Sequence, residues 1–319
     1  MKKLLLILLA GCCAIAFGAH AEDYPTKSIR IVVPFPAGGS ADVITRQLAK
    51  ALSEKFSQSV IVDNRPGANG IIGAQVVAQA QPDGYTLLLA TSHVLAMNPY
   101  LVKDLGFNVQ KDFVPIIVYA RSPAMLVVSV ASPYQSVKDL IEAAKKSPGK
   151  LTFASAGEGS VQHIMGEKMK LMAGIDLNHI PYKGEAPALQ DTMAGQIDLI
   201  FGFPLGTMPH VRSGKLRALA VTGEKRISIL PDIPTMIEAG VAGYSETALS
   251  LYLAPRGTPA AIVDKLNDAF RIALLTMKKD FLERGAEFIA GSPQEAAAML
   301  EMEHVRFGKV VKELGLKQQ

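Results

Sequence analysis

The apolar positions along the chain follow two periods, one typical of strands and one typical of helices. Short apolar runs such as Ile29–Val33 and Leu151–Ala154 are bounded by turn residues and predict buried strands. Elsewhere apolar residues recur every fourth position, as Ile44, Leu48 and Leu52 do, which predicts an amphipathic helix. Strand and helix alternate along most of the chain. This order predicts an α/β fold with a parallel-dominated sheet and helices on both faces.

The alternating pattern occurs twice, and two breaks separate its parts. Arg121-Ser122-Pro123 divides the predicted strands Phe113–Ala120 and Met125–Val130. A second break lies near residue 246, before the predicted strand Thr247–Ala254. We therefore predict two α/β lobes joined by two crossover strands. Lobe 1 is predicted to contain residues 22–122 plus 247–319, and lobe 2 residues 123–246.

The first 21 residues have the features of a secretion signal rather than of a folded domain. Lys2-Lys3 precedes an apolar run that is too short to span a membrane, and Ala19-His20-Ala21 fits a cleavage site. We expect export to the periplasm with cleavage after residue 21. A lipid on Cys12 is the alternative, because Leu9-Ala10-Gly11-Cys12 resembles a lipoprotein signal. Both cysteines lie in this segment, so no disulfide or cysteine nucleophile is expected in the mature chain.

Two Gly- and Ser-rich turns, one in each predicted lobe, are the strongest candidates for a binding site. Residues 34–42 link the first strand to a helix predicted over Val43–Phe56, and residues 155–160 link another strand to the helix Val161–Ala173. A strand that feeds a Gly-rich turn and a helix N-terminus forms an anion site, because the first helical N–H groups have no intrahelical partner. The alternative is a turn that only connects strand to helix. Ligands in open α/β sheets bind beyond the carboxyl ends of strands, where residues 64–70 and 91–93 also lie.

If the two turns face each other across a cleft, they can clamp a carboxylate between backbone N–H groups and hydroxyls. Ser40, Ser155 and Ser160 are the candidate hydroxyls, although Ser40 and Ser160 could instead cap their helices. Asp42 either favours the helix N-terminus or holds a water or a donor group of the ligand. His163 is a candidate cleft residue whose alternative role is to brace the turn.

The sequence contains no recognisable catalytic constellation. Neither Gly-rich turn fits the G-x-S-x-G elbow of α/β hydrolases, and the histidines lie far apart in sequence without metal-binding spacing. We expect no metal and no cofactor. An exported esterase or amidase that uses Ser40 or Ser155 as nucleophile remains the alternative function. The effector domain of a regulator would need a DNA-binding motif, which a secretion signal displaces here.

Composition narrows the range of partners. Apolar residues make up 49% of the chain and charged residues 19%, which suits a folded protein with a large core. The formal net charge is +4, and the basic residues are scattered, so nucleic acid is not expected as a partner. Aromatic residues are only 6%, with no Trp, so a stacking platform for sugars is not expected.

Several ordered motifs together resemble one known family, the Bug-type solute-binding proteins of tripartite tricarboxylate transporters. The similarity begins at Tyr24-Pro25, continues through the first Gly-rich turn, and extends over the whole mature chain. The other motifs that carry it are Asn64-Arg65-Pro66-Gly67-Ala68, Pro82-Asp83-Gly84-Tyr85, Ser155-Ala156-Gly157, Pro181-Tyr182-Lys183-Gly184, Leu230-Pro231-Asp232 and Gly257-Thr258-Pro259.

The resemblance implies a type II periplasmic binding fold, with two doubly wound sheets joined by two crossover strands and a ligand cleft between them. It implies a monomeric protein that captures a small carboxylate and delivers it to membrane permease subunits. Backbone donors recognise a carboxylate but not the group attached to it, so the ligand's identity stays open. The residues expected to bind the ligand are Phe35, Pro36, Ala37, Gly38, Gly39, Ser40, Asp42, Thr91, Ser155, Ala156, Gly157, Ser160, His163 and Tyr182.

The chain also departs from the family pattern at two places. Where the family often has Asp after the strand Ile197–Phe201, this chain has Gly202-Phe203-Pro204. Where the family often has Trp, near residue 249, this chain has Leu249 flanked by small residues. An uncharged cleft of this kind would suit an aromatic or aliphatic carboxylate.

Overall fold

The computed structural model of the protein describes residues 24–283, 285–315 and 318, and these residues form two mixed sheets flanked by helices. The predicted secretion signal, including Cys12, lies outside the described residues. The strands are β1 (Ile29–Val33), β2 (Val60–Asn64), β3 (Thr86–Thr91), β4 (Phe113–Pro123), β5 (Met125–Ser129), β6 (Thr152–Ser155), β7 (Asn178–Pro181), β8 (Leu199–Gly202), β9 (Leu216–Val221), β10 (Thr247–Pro255) and β11 (Glu287–Phe288).

Helices follow most of these strands and cover both faces of each sheet. A 3₁₀ turn at Ala68–Gly70 and a π-helix at His93–Met97 supplement the α-helices. The α-helices are α1 (Ser40–Phe56), α2 (Ile71–Ala78), α3 (Asn98–Leu101), α4 (Val109–Asp112), α5 (Val137–Lys146), α6 (Val161–Ala173), α7 (Glu185–Met193), α8 (Pro204–Arg212), α9 (Ala260–Glu283) and α10 (Pro293–Glu313).

The first sheet has the strand order β11-β4-β10-β3-β1-β2, and the second has the order β7-β6-β8-β5-β9. β1 pairs in parallel with β2 and β3, whereas β10 runs antiparallel to β3 and β4. β6 likewise pairs in parallel with β7 and β8, whereas β5 is antiparallel to β8 and β9. The sheets are therefore mixed rather than parallel-dominated, because strands that cross between the sheets enter against the prevailing direction.

The core of each sheet explains why its strands are continuous apolar runs. Ile31, Val32 and Val33 of β1 are all fully buried, since α1 and α9 cover one face of the sheet and α2 and α10 cover the other. The second sheet is covered on one side by α5 and α6 and on the other by α7 and α8. The two Gly-rich turns follow the carboxyl ends of the parallel strands β1 and β6.

Several predicted element bounds need correction. Arg121-Ser122-Pro123 is not a break, because β4 runs to Pro123 and pairs there with Thr247 of β10. α1 begins at Ser40 rather than at Val43, and α8 was not predicted at all. Ser136 caps α5 and Ser292 caps α10, the latter as a full capping box with Glu295.

The strands of the first sheet come from residues 29–123 and 247–288, and those of the second from 125–221. The lobe boundaries 22–122 plus 247–319 and 123–246 stay a proposal, which this strand membership supports. Hydrogen bonds join the two segments that connect the sheets. The Ala124 N–H donates to Thr222 Oγ1 (2.8 Å), and the Thr222 hydroxyl donates to the Glu246 carbonyl (2.6 Å). We call these three residues the hinge.

The side chain of Glu246 ties the hinge to both lobes. It is 2% exposed and accepts a 2.6 Å hydrogen bond from Lys168 Nζ of α6. It also forms an ion pair with Arg306 of α10, which in turn binds Glu303 (2.7 Å). A single buried carboxylate thus joins a helix of the second sheet to a helix of the first.

Candidate functional site

The first Gly-rich turn leaves a helix N-terminus open. Pro36, Ala37 and Gly38 are exposed, and Gly38 has φ +83°, a conformation that glycine adopts without strain. Gly39 is the N-cap of α1 and provides no side-chain cap. The N–H groups of the first helical turn therefore keep their donors, and the helix dipole makes this end partly positive.

Asp42 holds this turn in shape. Its buried carboxylate accepts the Gly38 N–H (2.9 Å), Arg46 Nε (3.0 Å) and Asn64 Nδ2 (3.0 Å). Asn64 Nδ2 also donates to the Phe35 carbonyl (3.1 Å). Burial alone would raise the pKa of Asp42, but the hydrogen bonds from Arg46, Gly38 and Asn64 outweigh it and lower the pKa. The geometry gives Asp42 a positioning role, because its oxygens face protein donors rather than the cleft.

The exposed side of the turn faces two loops of the second sheet. Pro36 Cγ lies 3.9 Å from the Cβ position built on Gly184, and Ser40 Oγ lies 3.4 Å from the one built on Gly206. Ser40 is the first residue of α1 rather than its N-cap, so its hydroxyl does not cap the helix. Phe35 packs partly buried between the two cores of the first sheet, and Thr91 is the half-buried last residue of β3.

The second Gly-rich turn is held by its own hydroxyls. Ser155 is fully buried; its hydroxyl donates to the Gly157 carbonyl (2.9 Å) and accepts the Gly157 N–H (3.1 Å). Its Oγ also lies 2.6 Å from His179 Nε2. Ser160 Oγ accepts the His163 N–H (3.3 Å) and caps α6, which confirms the capping alternative for Ser160. Both hydroxyls are therefore used to shape the turn.

His163 braces the same turn. Its Nδ1 accepts the Gly159 N–H (2.9 Å), and its ring stacks on His179 with centroids 3.9 Å apart. Burial lowers the pKa of both rings, and that of His179 falls to about 4 with help from the neighbouring His163. Both imidazoles are therefore neutral at pH 7, and the pair acts as a rigid wall rather than as an acid.

Donor atoms of Glu158, His163 and His179 lie within 4.8 Å of one another, which resembles a metal-ligand set. The two rings, however, are stacked at an interplanar angle of 9°. Because ligand lone pairs lie in the ring planes, one ion cannot lie in both planes at once. The recorded hydrogen bonds also occupy His163 Nδ1 and His179 Nε2. This arrangement does not fit a metal ion without rotation of a ring.

Each of the two Gly-rich turns contacts a loop of the other lobe. The second turn meets Asn69, whose Nδ2 donates to the Glu158 carbonyl, so it faces the loop 67–70. The Gly184 N–H donates to the Ala156 carbonyl (3.1 Å) and joins the second turn to the loop that faces Pro36. Each turn thus contacts a different loop of the other lobe, and the clamp of one carboxylate between the two turns stays a prediction.

Tyr182 lies on that joining loop but directs its polar end into its own lobe. Its hydroxyl donates to Asp191 Oδ2 (2.6 Å), and its N–H donates to the Ser155 carbonyl (3.0 Å). Burial and the Asp191 carboxylate raise its pKa to about 12. Tyr182 consequently supports the second turn from behind.

Sequence reasoning missed three residues that border the cleft: Asn69, Glu185 and Gly206. Glu185 begins α7, and its Oε1 accepts the Phe203 N–H (2.6 Å) and the Thr207 hydroxyl (3.5 Å). Burial raises its pKa to about 7, against the opposing effect of those hydrogen bonds. The signal for Glu185 was an acidic residue directly after the Tyr182-Lys183-Gly184 motif. Gly206 gave no such signal, because α8 itself was not predicted.

Several known proteins resemble this chain in sequence and in structure. Residues 44–316 match the model of the tripartite tricarboxylate transporter family receptor. BugT of Bordetella pertussis is 34% identical over 322 residues, covering 99% of both chains. The solved structure of R. palustris Rpa4515 with adipate is 38% identical with a TM-score of 0.89, and covers 93% of this chain and 100% of its own.

A second solved structure extends the comparison. MatC from Rhodopseudomonas palustris with bound malate is 29% identical with a TM-score of 0.83, and covers 90% of this chain and 100% of its own. These structures have the same two-lobed fold as this chain. With a family match over most of its length and a near full-length Bug relative, the chain belongs to the tripartite tricarboxylate transporter receptor family, as a Bug-type solute-binding protein.

Proposed function

We propose that this protein captures a small carboxylate in the periplasm and delivers it to a tripartite tricarboxylate-type transporter. The observation that carries the proposal is the uncapped N-terminus of α1, which opens into a cleft between the two sheets. An array of N–H donors at a helix N-terminus is a ready anion site. Similar proteins were solved with adipate and with malate, which are both carboxylates.

Each part of the cleft has a distinct role in this proposal. The backbone N–H groups of Ala37, Gly39 and Ser40 bind the carboxylate, since the Gly38 N–H is held by Asp42, and the Ser40 hydroxyl adds a further donor. Phe35 and Thr91 shape the side of the first lobe. Ala156, Gly157 and their neighbours form the opposite wall, which Ser155, Ser160, His163 and Tyr182 hold in place from within.

The partner and the route of export belong to the same proposal. A receptor of this family implies permease subunits in the membrane, and a secretion signal at residues 1–21 would deliver the chain to them. No helix in the described part of the chain is both long and apolar enough to span a membrane. We propose that the protein works as a monomer and carries no cofactor.

The hydrolase alternative gains no support from the comparisons or from the geometry. Ser155 lies 2.6 Å from His179, but its hydroxyl is fully buried and already bound to Gly157. Among the described residues, no hydrogen bond joins Ser40 to a histidine. The expected result with a chromogenic acetate ester is turnover no faster in the wild type than in Ser155→Ala. Turnover that disappears in that variant would favour the enzyme.

A thermal-shift series tests the binding function. Adipate, malate, citrate and benzoate are each added to the wild-type protein, and at least one raises the unfolding midpoint through mass action. In Gly39→Val the branched side chain covers the open helix end, and the shift disappears. The backbone accepts this change, because Gly39 has φ −75° and its Cβ would meet only the Pro36 carbonyl, at 3.5 Å. An unchanged ligand-free midpoint checks the fold, and an undiminished shift in Gly39→Val contradicts the proposed site.

A further inference from the structure

The carboxyl group of Glu185 has one edge bound to its own lobe and the other turned to the cleft. The hydrogen bonds recorded for it among the described residues all fall on Oε1, from Phe203 and Thr207. Oε2 lies 3.6 Å from the Cβ position built on Gly206, and Ser40 Oγ lies 3.4 Å from the same point. The two oxygens are thus no farther apart than the sum of these distances. A carboxylate bound by Ser40 and the N-terminus of α1 is then within reach of Oε2.

The elements packed against Glu185 carry little charge to compensate its ionised form, and Lys183, two residues before it, is exposed to solvent. The strands packed against α7 are β5, β6 and β8, and none of them contains an ionisable residue. α8 carries only His210 and Arg212, both in its last turn, far from the Phe203 end that meets Glu185. Across the cleft, the charges of α1 nearest to Ser40 are Asp42 and Arg46, which pair with each other. Asp191, on the same helix as Glu185, is bound to Tyr182.

We propose that Glu185 contacts the ligand as a neutral acid, carrying a proton on Oε2 that it donates in a hydrogen bond to the bound carboxylate. Capture then takes up one proton from solvent per ligand wherever Glu185 is ionised in the empty protein. This inference rests on the proposed function, because it assumes a carboxylate in the cleft. It assigns to Glu185 the recognition of the ligand's charge from the second lobe.

The chemistry favours this protonation state over the alternative. Two carboxylates that share a site in a water-poor cleft cannot both be ionised without strong repulsion, so one of them takes a proton. Burial already raises the pKa of Glu185 to about 7, so the proton is available near neutral pH. The other occupant of matching chemistry is an ammonium group on the ligand, which would keep Glu185 ionised. The two cases differ in the sign of the pH dependence.

Calorimetric titration with adipate and malate between pH 6.5 and 8.5 separates these cases. Each titration is run in two buffers of different ionisation enthalpy, so that the number of protons taken up is measured directly. From the folded pKa of about 7, linkage predicts wild-type affinity roughly 20-fold weaker at pH 8.5 than at pH 6.5. Glu185→Gln keeps a neutral donor at the same place, so its affinity is flat with pH and it takes up no proton.

Glu142→Gln is the matched control, because Glu142 is an exposed residue of α5 that forms an ion pair with Lys138 and lies on a helix away from Glu185. It should follow the wild type in both affinity and proton uptake. Wild-type binding without proton uptake, or binding that tightens as pH rises, overturns the role of Glu185 and leaves carboxylate capture intact. If neither probe binds the wild type or any variant at any pH, the result overturns both proposals.

Discussion

The ion pairs of Glu246 give the sharpest test of how the two lobes are held together. Glu246→Gln removes a charge that is 2% exposed while it preserves the shape of the side chain. Lys168 of α6 and Arg306 of α10 then lose their common partner at the hinge. The hydrogen bonds between the main chain of Glu246 and Thr222 are untouched by the substitution.

The size of the effect follows from the exposure of the three side chains. Breaking a buried ion pair by removing one partner costs about 3–5 kcal/mol, because the remaining charge is left without compensation. Here Lys168 is 16% and Arg306 is 30% exposed, so water replaces part of what they lose. We therefore expect a loss of about 2–3 kcal/mol in the free energy of unfolding. For domains of this size that corresponds to roughly 4–10 °C in the unfolding midpoint.

Chemical denaturation followed by circular dichroism, together with calorimetry, measures this loss. Glu283→Gln is the control: its pair with Lys279 spans 3.7 Å between side chains that are 60% and 88% exposed. Exposed pairs of this kind contribute at most about 1 kcal/mol, so the control should change little. A loss below about 1 kcal/mol in Glu246→Gln, matching the control, would refute the argument that a buried carboxylate links the lobes.

Two further substitutions probe the first turn and the space opposite it. Asp42→Asn weakens the hydrogen bonds to Gly38 and Arg46. Because Arg46 is 53% exposed, the free energy of unfolding should fall by only about 1 kcal/mol. Carboxylate affinity, measured by calorimetry, should fall about tenfold. The pKa of Asp42 is lower in the folded state, so its contribution to stability is present above its ordinary pKa of 3.8 and is lost as the pH falls further. Wild-type carboxylate affinity in Asp42→Asn would contradict the positioning role. Gly206→Ala should raise the unfolding midpoint slightly, because alanine favours a helix over glycine by up to about 1 kcal/mol. It should nevertheless weaken ligand binding, because the added methyl group contacts Ser40 Oγ at 3.4 Å. Undiminished affinity would show that the ligand does not use this space.

The local features of the fold could be predicted from sequence because they depend on neighbouring residues. Ser136 and Ser292 cap helices through groups three residues away, and the strand Ile29–Val33 follows from an apolar run between turns. α8 escaped prediction because Gly206 and Pro209 are poor formers of a helix interior, and its packing on the second sheet helps to stabilise it. β4 continues through Pro123 because β10 supplies a partner that no local pattern reveals.

The site depends on contacts that span large sequence distances. The i, i+4 pair of Asp42 and Arg46 is visible in the sequence, but Asn64 joins it only because β1 and β2 align Val33 with Asn64. His179 reaches Ser155 through the parallel pairing of β6 and β7. These contacts depend on strand register, which the sequence does not reveal. They explain why the side chains of Asp42 and Ser155 form hydrogen bonds within the protein.

The contacts of Glu185 likewise depend on a helix that the sequence did not predict. Its position after a glycine at the start of a helix is typical of an acidic residue that favours a helix N-terminus. The structure shows that it instead binds the N-terminus of the following helix, through the Phe203 N–H. The packing of α8 against α7 brings these two ends together, and no pattern in the sequence predicted α8.

A crystal structure of the protein grown with adipate is the most decisive experiment on carboxylate capture. We expect a carboxylate at the N-terminus of α1, with its oxygens about 3 Å from the backbone nitrogens of Ala37, Gly39 and Ser40. The lobes should close on it so that Glu185 and Gly206 approach from the opposite side. A carboxylate bound elsewhere, with the N-terminus of α1 still open to water in a closed cleft, would show that this helix end is not the binding site.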